Sequence, residues 1–215
     1  KYKLTREALD AYAIESYRRA AEATLTGKFK HEIIPVKVEQ KSGDVFIDKD
    51  EDIDKIIVDK VSKLKPTFEK NGNLTAANSS NLNDGAAALI LASEEAVKKY
   101  NLKPIARIKG YADAAQAPEW FTTSPALAIP KALKAAGLKL SDIDYFEINE
   151  AYASVILSLQ QLLELDLKKV NVYGGAVAMG HPIGASGARI ITTLTSVLKQ
   201  EGGKYGVAAI CNGGG

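Results

Sequence analysis

The strongest constraint on the fold is an alternation of apolar runs and helical patterns that begins after residue 84. Five runs have the length and composition of buried strands, at residues 86–93, 105–113, 143–148, 170–177 and 206–211. Helical patterns lie between them, at residues 94–100, 124–136, 149–165 and 186–200. Strands that alternate with helices of about 10–15 residues form βα units. We therefore predict an α/β fold, with a mostly parallel sheet that helices cover on both faces.

The first 82 residues are less regular. Apolar residues recur at helical spacing over residues 5–26, with Thr5 as N-cap and Gly27 as the stop. A short strand is predicted within residues 31–38, then an acidic, exposed stretch, and then a helix over residues 53–64. Residues 71–83 are rich in Asn and Ser and are typical of a linker. We therefore expect a boundary there, with residues 1–82 as a first region and 83–215 as a domain.

Composition excludes several classes of function. The chain has 215 residues, and its 28 basic and 26 acidic side chains are interspersed. No basic patch for nucleic acid is therefore expected, and no apolar run approaches the roughly 20 residues of a membrane span. The single cysteine, Cys211, excludes an internal disulfide and a Cys-rich metal site, and it fits a reducing compartment.

Two glycine-dense segments contain the chemically active side chains. Residues 173–187 hold His181, and residues 211–215 begin with Cys211. Glycine allows a positive φ and a close approach of backbone to ligand, although either cluster alone is also typical of an ordinary turn. Three candidate chemical groups lie at the ends of predicted strands: Asn149 and Glu150 follow one strand, His181 follows another, and Cys211 ends a third. Because ligands bind at the carboxyl ends of parallel strands, we expect these three groups to converge.

Three motifs resemble the C-terminal signatures of the thiolases. They are NEAYA at residues 149–153, GGAVAMGHPIGASGAR at 174–189 and CNGGG at 211–215. Residues 6–16, 27–36 and 74–89 are also similar to family motifs, in family order, so the resemblance covers essentially the whole chain. Residues 111–133 are most similar to cytosolic acetoacetyl-CoA members of plants and fungi. The resemblance implies a thiolase fold, in which residues 1–82 include part of the loop domain. Residues 83–215 would be the C-terminal domain without its last strand.

The reaction that the resemblance implies is a Claisen condensation. Two acetyl-CoA give acetoacetyl-CoA and CoA, reversibly and without a prosthetic group. One cysteine is acetylated, and a second takes a proton from the incoming acetyl-CoA, chemistry that requires a lowered thiol pKa. The nucleophilic cysteine belongs to an N-terminal half that these residues do not include. We therefore expect the chain by itself to have no thiolytic or condensing activity.

Four residues match the catalytic positions of the family. Cys211 matches the cysteine that acts as acid and base, and His181 matches the histidine that activates the nucleophile and helps to form an oxyanion hole. Asn149 matches the asparagine that holds a catalytic water in that hole, and it is equally suited to cap the following helix. The backbone N–H of Gly213 matches a donor of the second oxyanion hole.

Further positions match the binding sites for CoA and for a potassium ion. Ser80 and Lys60 match residues that touch the two ends of CoA, and Tyr17 matches a residue near both CoA and the ion. Backbone carbonyls supply most ligands of the potassium site in family members that have one. The positions that match this site are Tyr17, Ala76, Ala77, Ser79 and Val177.

The resemblance also carries expectations about context, and it leaves alternatives open. The complete protein is expected to form a homodimer or homotetramer, to bind acyl-CoA and neither nucleic acid nor a membrane, and to be cytoplasmic. A mitochondrial or peroxisomal location stays open. The alternatives are a degradative 3-ketoacyl-CoA thiolase of broader chain length, and a non-catalytic relative that binds acyl-CoA.

Overall fold

A computed structural model describes residues 2–213, and its longest helix is the one predicted first. Helix α1 spans Arg6–Leu25, and the Thr5 hydroxyl caps it by accepting a hydrogen bond from the Ala8 N–H at 3.2 Å. Gly27 follows in the left-handed region at φ +74°. One face of α1 is buried by residues that include Leu9, Tyr12 and Tyr17. The predicted helix, its cap and its stop are confirmed.

The remaining elements are short. After α1 come the strands β1 (Val36–Val38) and β2 (Val45–Ile47), then the helices α2 (Val58–Val61), α3 (Glu94–Lys99) and α4 (Pro125–Ala136). They are followed by β3 (Tyr145–Ile148), α5 (Ala153–Leu163), α6 (Ala176–Met179), α7 (Ser186–Gln200) and β4 (Gly206–Ala209). Turns of 3-10 helix lie at Lys28–His31, Asp52–Asp54, Pro118–Thr123, Leu140–Asp142 and Leu167–Lys169. No helix within residues 2–213 is both long and apolar enough to cross a membrane.

The parallel pair β3–β4 is the centre of the fold. Tyr145 pairs with Gly206, and Ile148 pairs with Ala209. Phe146 and Ile148 share an apolar cluster with residues of α4 and α5, while Glu147 points the other way and pairs with Arg189 of α7. Helices therefore cover both faces of a parallel pair. This arrangement confirms the predicted α/β class.

Two of the predicted strands, at residues 86–93 and 105–113, are wrong. No strand of the described chain pairs with either segment. Their apolar side chains are exposed, with Ile90 at 96% and Ile105 at 83%. An apolar run predicts an extended, buried segment, but it does not specify which strand provides the hydrogen-bonding neighbour. Without such a neighbour in residues 2–213, these runs form no ladder.

The predicted strand at residues 170–177 is also wrong, because the chain turns at Asn171. Val170 forms a single bridge with Phe146, and Asn171 then adopts φ +47°. The Asn171 side chain accepts a hydrogen bond from the Ile148 N–H at 2.7 Å and donates one to the Ile148 carbonyl at 2.8 Å. A side chain thus replaces the ladder contacts that a strand residue would have made.

The predicted helix over residues 53–64 is interrupted. Ile57 is extended, at φ −114° and ψ 94°, and it separates a 3-10 turn from α2. The predicted strand within residues 31–38 shortens to β1, which pairs antiparallel with β2 inside the acidic stretch. The later helices agree better with prediction: α4 and α7 match closely, and α5 begins at Ala153 instead of Asn149.

Candidate active site

The carboxyl ends of β3 and β4 bring Asn149 and Cys211 to one edge. The Asn149 N–H donates to the Ala209 carbonyl at 2.8 Å, so the parallel ladder continues one residue beyond β3. Two residues after Ala209, Cys211 is 8% exposed and packs in the cluster that contains Ile148. The geometry expected from parallel strands is therefore present for these two residues.

His181 joins the same edge through the loop that follows α6. Its N–H donates to the Asn81 carbonyl at 2.9 Å, and Leu82 forms a bridge with it. On the ring, Nε2 lies 3.2 Å from Nδ2 of Asn149, and Nδ1 lies 2.6 Å from the Ser186 hydroxyl. His181 thus contacts Asn149 at the edge where the segment after β4 carries Cys211, although no third strand positions His181.

Hydrogen bonding assigns the tautomer of His181. The Ser186 hydroxyl donates its proton to the Pro182 carbonyl at 3.0 Å, so it can only accept from the ring. In this arrangement of donors and acceptors Nδ1 carries the proton, and the lone pair of Nε2 accepts from the Asn149 amide. Burial, assisted by the positive charge of Arg189, lowers the pKa of His181 below its ordinary value. The imidazole is accordingly neutral at pH 7, with its basic nitrogen facing Asn149.

One polar atom of the Asn149 side chain has no hydrogen-bond partner among the described residues. Its Oδ1 atom is buried and accepts no hydrogen bond from the residues that the structure describes. Buried polar atoms are normally satisfied, often by an ordered water. This orphaned acceptor sits beside the Nε2 atom of His181, where a water or a ligand donor would complete it. Asn149 does not cap α5, because that helix begins four residues later and its N-cap is Tyr152.

Cys211 is held as a thiol. Burial raises the pKa of its thiol above the ordinary value, and a backbone hydrogen bond opposes the rise only in part. The lowered thiol pKa expected from the reaction is therefore not produced by residues 2–213. A protonated thiol at this edge is a proton donor in its resting state.

Gly213 lies at the end of the described residues. It is exposed, and a Cβ built on it would lie 3.8 Å from the Phe121 ring. The last two glycines of the CNGGG motif, Gly214 and Gly215, fall outside the described residues. The geometry of a second oxyanion hole is therefore a prediction from the sequence.

The positions matched to CoA divide into two groups. Ser80 donates to the Ala151 carbonyl through both its N–H at 3.1 Å and its hydroxyl at 3.0 Å, which joins the Asn-rich loop to the segment that carries Asn149. Tyr17 is buried on α1. Lys60, on α2, is exposed, and its side chain forms no hydrogen bond or ion pair with a described residue. Ser80 is thus at the site, whereas Lys60 lies on the surface.

Four carbonyl oxygens at the positions matched to potassium accept no hydrogen bond from a described residue. Tyr17 and Val177 also belong to one buried cluster. Hard monovalent and divalent cations prefer such oxygen ligands. The four free carbonyls belong to Ala76, Ala77, Ser79 and Val177.

The sequence reasoning missed Ser186 and placed Glu150 after a strand without giving it a role. Ser186, five residues after His181, contacts the ring as described above. Glu150 is completely buried directly beside Asn149 and accepts hydrogen bonds from α1, α6 and Asn171. Its signal in the sequence was a charged residue that directly follows a predicted buried strand.

The chain is similar to known proteins over its whole length. Residues 1–95 match the family model for the thiolase N-terminal domain, and residues 102–215 match that for the thiolase C-terminal domain. A probable acetyl-CoA acetyltransferase of Dictyostelium discoideum is 56% identical over the whole chain, which covers 52% of that relative. The chain therefore spans about half the length of the curated relatives it matches.

Solved structures give the same result. The crystal structure of the Bacillus anthracis acetyl-CoA acetyltransferase matches the whole chain with a TM-score of 0.95 at 43% identity, and 55% of that structure is covered. An Ascaris suum thiolase, Acat5, solved in complex with coenzyme A, matches all of the chain and 55% of its own length, with a TM-score of 0.91 at 51% identity. The α/β fold is thus the thiolase fold, and the chain belongs to the thiolase family.

Proposed function

We propose that this chain supplies the acid/base part of an acetyl-CoA C-acetyltransferase. The enzyme joins two acetyl-CoA to give acetoacetyl-CoA and CoA, and it catalyses the reverse thiolysis. The names of the similar proteins and the coenzyme A in the Ascaris structure support this proposal. The observation that carries it is the hydrogen-bonded pair of His181 and Asn149 at the strand edge where Cys211 also lies.

His181 activates the nucleophile in this account. The nucleophile is a cysteine outside these 215 residues, since Cys211 is the only cysteine and has the other role. Nε2 exchanges its hydrogen bond from the Asn149 amide for the proton of that thiol, and the thiolate attacks acetyl-CoA to give the acetyl-enzyme. The Nδ1 hydrogen bond to Ser186 holds the ring in the required tautomer.

Cys211 transfers the second proton. After it returns its own proton to the leaving CoA thiolate, its sulfur is free to remove a proton from the methyl group of the next acetyl-CoA. The C–H bond breaks, an S–H bond forms, and the enolate attacks the acetyl-enzyme carbonyl. The new C–C bond forms as the bond from carbon to the nucleophilic sulfur breaks, and acetoacetyl-CoA is released. Asn149, through a water on its free acceptor, and the N–H of Gly213 stabilise the oxyanions.

The CoA and cation positions complete the proposal. The Ser80 hydroxyl uses its proton on Ala151, so it would accept a hydrogen bond from an amide of the pantetheine arm. Lys60 would meet the nucleotide end from the surface, and Tyr17 would lie near both CoA and the ion. A potassium ion on the free carbonyls would add positive charge and order the Asn-rich loop. The complete protein is proposed to be a cytoplasmic homo-oligomer, a dimer or tetramer, on the similarity of residues 111–133 to cytosolic members.

A thiolysis assay tests the proposal. The full-length protein that contains this chain should cleave acetoacetyl-CoA with CoA, and its Cys211→Ala variant should lose activity by about 10³-fold or more, since an essential proton-transfer group is removed. Potassium should raise the activity of the wild type. A wild type without activity would rule out the enzyme and favour a relative that only binds acyl-CoA, and a preference for long chains would indicate a degradative thiolase.

A further inference from the structure

A buried carboxylate connects three elements next to the active site. Glu150 is 0% exposed. Its Oε1 atom accepts from the Tyr12 hydroxyl at 2.6 Å and from the Asn171 amide at 2.8 Å. Its Oε2 atom accepts from the Ser16 hydroxyl at 2.8 Å and from the Val177 N–H at 3.1 Å. One side chain therefore joins α1, the turn at Asn171 and α6.

The charge of Glu150 is balanced by hydrogen bonds alone. No Lys, Arg or His nitrogen in residues 2–213 forms an ion pair with its carboxylate. A buried charge without a partner of opposite sign is costly, and such groups concentrate at functional sites. An apolar side chain of similar volume would stabilise the core equally well. The arrangement therefore points to a role beyond packing.

The backbone of Gly174 and Gly175, just before α6, packs closely against this carboxylate and against α1. A Cβ on Gly175 would lie 2.3 Å from Cδ of Glu150, and a Cβ on Gly174 would lie 2.6 Å from the Ser16 carbonyl. The Gly175 N–H also donates to the Ser16 hydroxyl at 3.0 Å. The backbone thus passes directly over Glu150 and α1, where a side chain has no space.

Both partners of the His181–Asn149 hydrogen bond depend on this anchor. Asn149 is the chain neighbour of Glu150, and Val177, bound to Oε2, lies one helical turn before His181. We propose that Glu150 is a positioning residue, which fixes the glycine loop so that Nε2 of His181 meets the Asn149 amide. The predicted effect of Glu150 on catalysis rests on the proposed function. The predicted effect of Glu150 on the His181 ring is independent of that function.

The Glu150→Gln variant of the full-length protein is the first test. The amide has nearly the same shape but one acceptor oxygen, so one pair of donors, on Tyr12 and Asn171 or on Ser16 and Val177, faces an NH₂ group. We expect kcat for thiolysis to fall by about 10- to 100-fold while KM changes by less than about threefold, because a displaced base slows the chemical step. Ser16→Ala, a milder change to the same network, should lower kcat in the same direction.

The matched control is Leu165→Ala. Leu165 is a buried core residue just beyond the end of α5, and it takes no part in the hydrogen bonds of Glu150, Asn149 or His181 that are described above. Its truncation lowers stability without touching the glycine loop, so kcat should stay within about twofold of wild type at a temperature where both fold. An equal loss of kcat in this control would overturn the proposal, because general destabilisation would then explain both variants.

An NMR measurement separates positioning from activity. In full-length protein with ¹⁵N-labelled histidine, the His181 signals are assigned by their loss in His181→Gln, and they should report protonated Nδ1 and unprotonated Nε2. Glu150→Gln and Ser16→Ala should shift them towards a mixture of tautomers, and Leu165→Ala should not. Unchanged His181 signals in Glu150→Gln overturn the proposal. If the wild type lacks thiolase activity, the proposed function fails, while this test of the anchor still applies.

Discussion

At the scale of single residues, the site combines two groups that burial keeps uncharged. His181 has a lowered pKa and a tautomer fixed by Ser186, and Cys211 has a raised pKa. Neither property could be read from the sequence, since both depend on neighbours that the fold supplies. The sequence did identify the residue types, because a histidine and the single cysteine stand among glycines at strand ends.

The raised thiol pKa predicts slow alkylation of Cys211. Because the thiolate is the reacting species and burial disfavours it, iodoacetamide at pH 7.5 should modify the native chain at least about tenfold more slowly than the chain unfolded in urea. The chain has one cysteine, so the mass of the intact protein reports on Cys211 alone. Equal or faster modification of the native chain would contradict the assignment of a buried, protonated thiol.

At the scale of elements, the glycine loop and the contact between β3 and α7 position the residues of the site. The loop follows a turn at Asn171 instead of the predicted strand, because the Asn171 side chain satisfies the Ile148 backbone. Apolar periodicity cannot reveal that substitution, as it reports burial and not hydrogen-bond partners. Helices α1, α4 and α7 were predictable, since their apolar faces, and the Thr5 cap of α1, are local features of the sequence.

Two glycines of the motif at residues 174–189 should differ in how much their replacement by alanine destabilises the chain. Gly175→Ala should destabilise the chain by about 1–3 kcal/mol, because its Cβ would overlap the Glu150 carboxylate. Gly184→Ala, in the same motif, should change stability by less than about 0.5 kcal/mol, since nothing lies within 4 Å of its Cβ. Urea unfolding followed by circular dichroism compares them. Equal effects would mean that the loop does not lie against Glu150.

The ion pair between β3 and α7 predicts a pH-dependent stability. Burial raises the pKa of Glu147 to about 7, against the opposing influence of Arg189. Between pH 4.5 and 7 the folded state therefore binds more protons than the unfolded state, and this residue's contribution to stability falls as pH rises. The Glu147→Gln variant has no carboxyl group at this position, so its stability lacks this decrease with rising pH. The stability of the variant relative to wild type should therefore increase from pH 5 to pH 7.5, by an amount on the order of 2 kcal/mol.

Urea unfolding of both proteins at the two pH values gives this difference. At pH 5 Arg189 faces a neutral side chain in both proteins, and its attraction to the ionised Glu147 at pH 7.5 is already included in the pKa of that group, so Arg189 does not alter the trend. A difference that is constant with pH, or that decreases as pH rises, would show that Glu147 is not protonated in the folded chain at low pH.

At the scale of the whole molecule, the alternation of strands and helices gave the α/β class and the convergence of Asn149, His181 and Cys211. The predictions of strands around Ile90 and Ile105 were wrong, because these runs have no pairing partner in the described chain. A strand is a property of two segments, and a sequence pattern describes only one of them. The chain matches its relatives over about half of their length, which is consistent with a site that needs a second cysteine from elsewhere.

In the proposed reaction Cys211 transfers protons, and a cysteine outside this chain carries the acetyl group. The most direct measurement is to incubate the full-length protein with labelled acetyl-CoA, quench it, and locate the acetyl group by mass spectrometry of peptides. We expect one acetyl group on a cysteine other than Cys211, still formed in Cys211→Ala while turnover is lost. An acetyl group found on Cys211 itself would contradict this proposal.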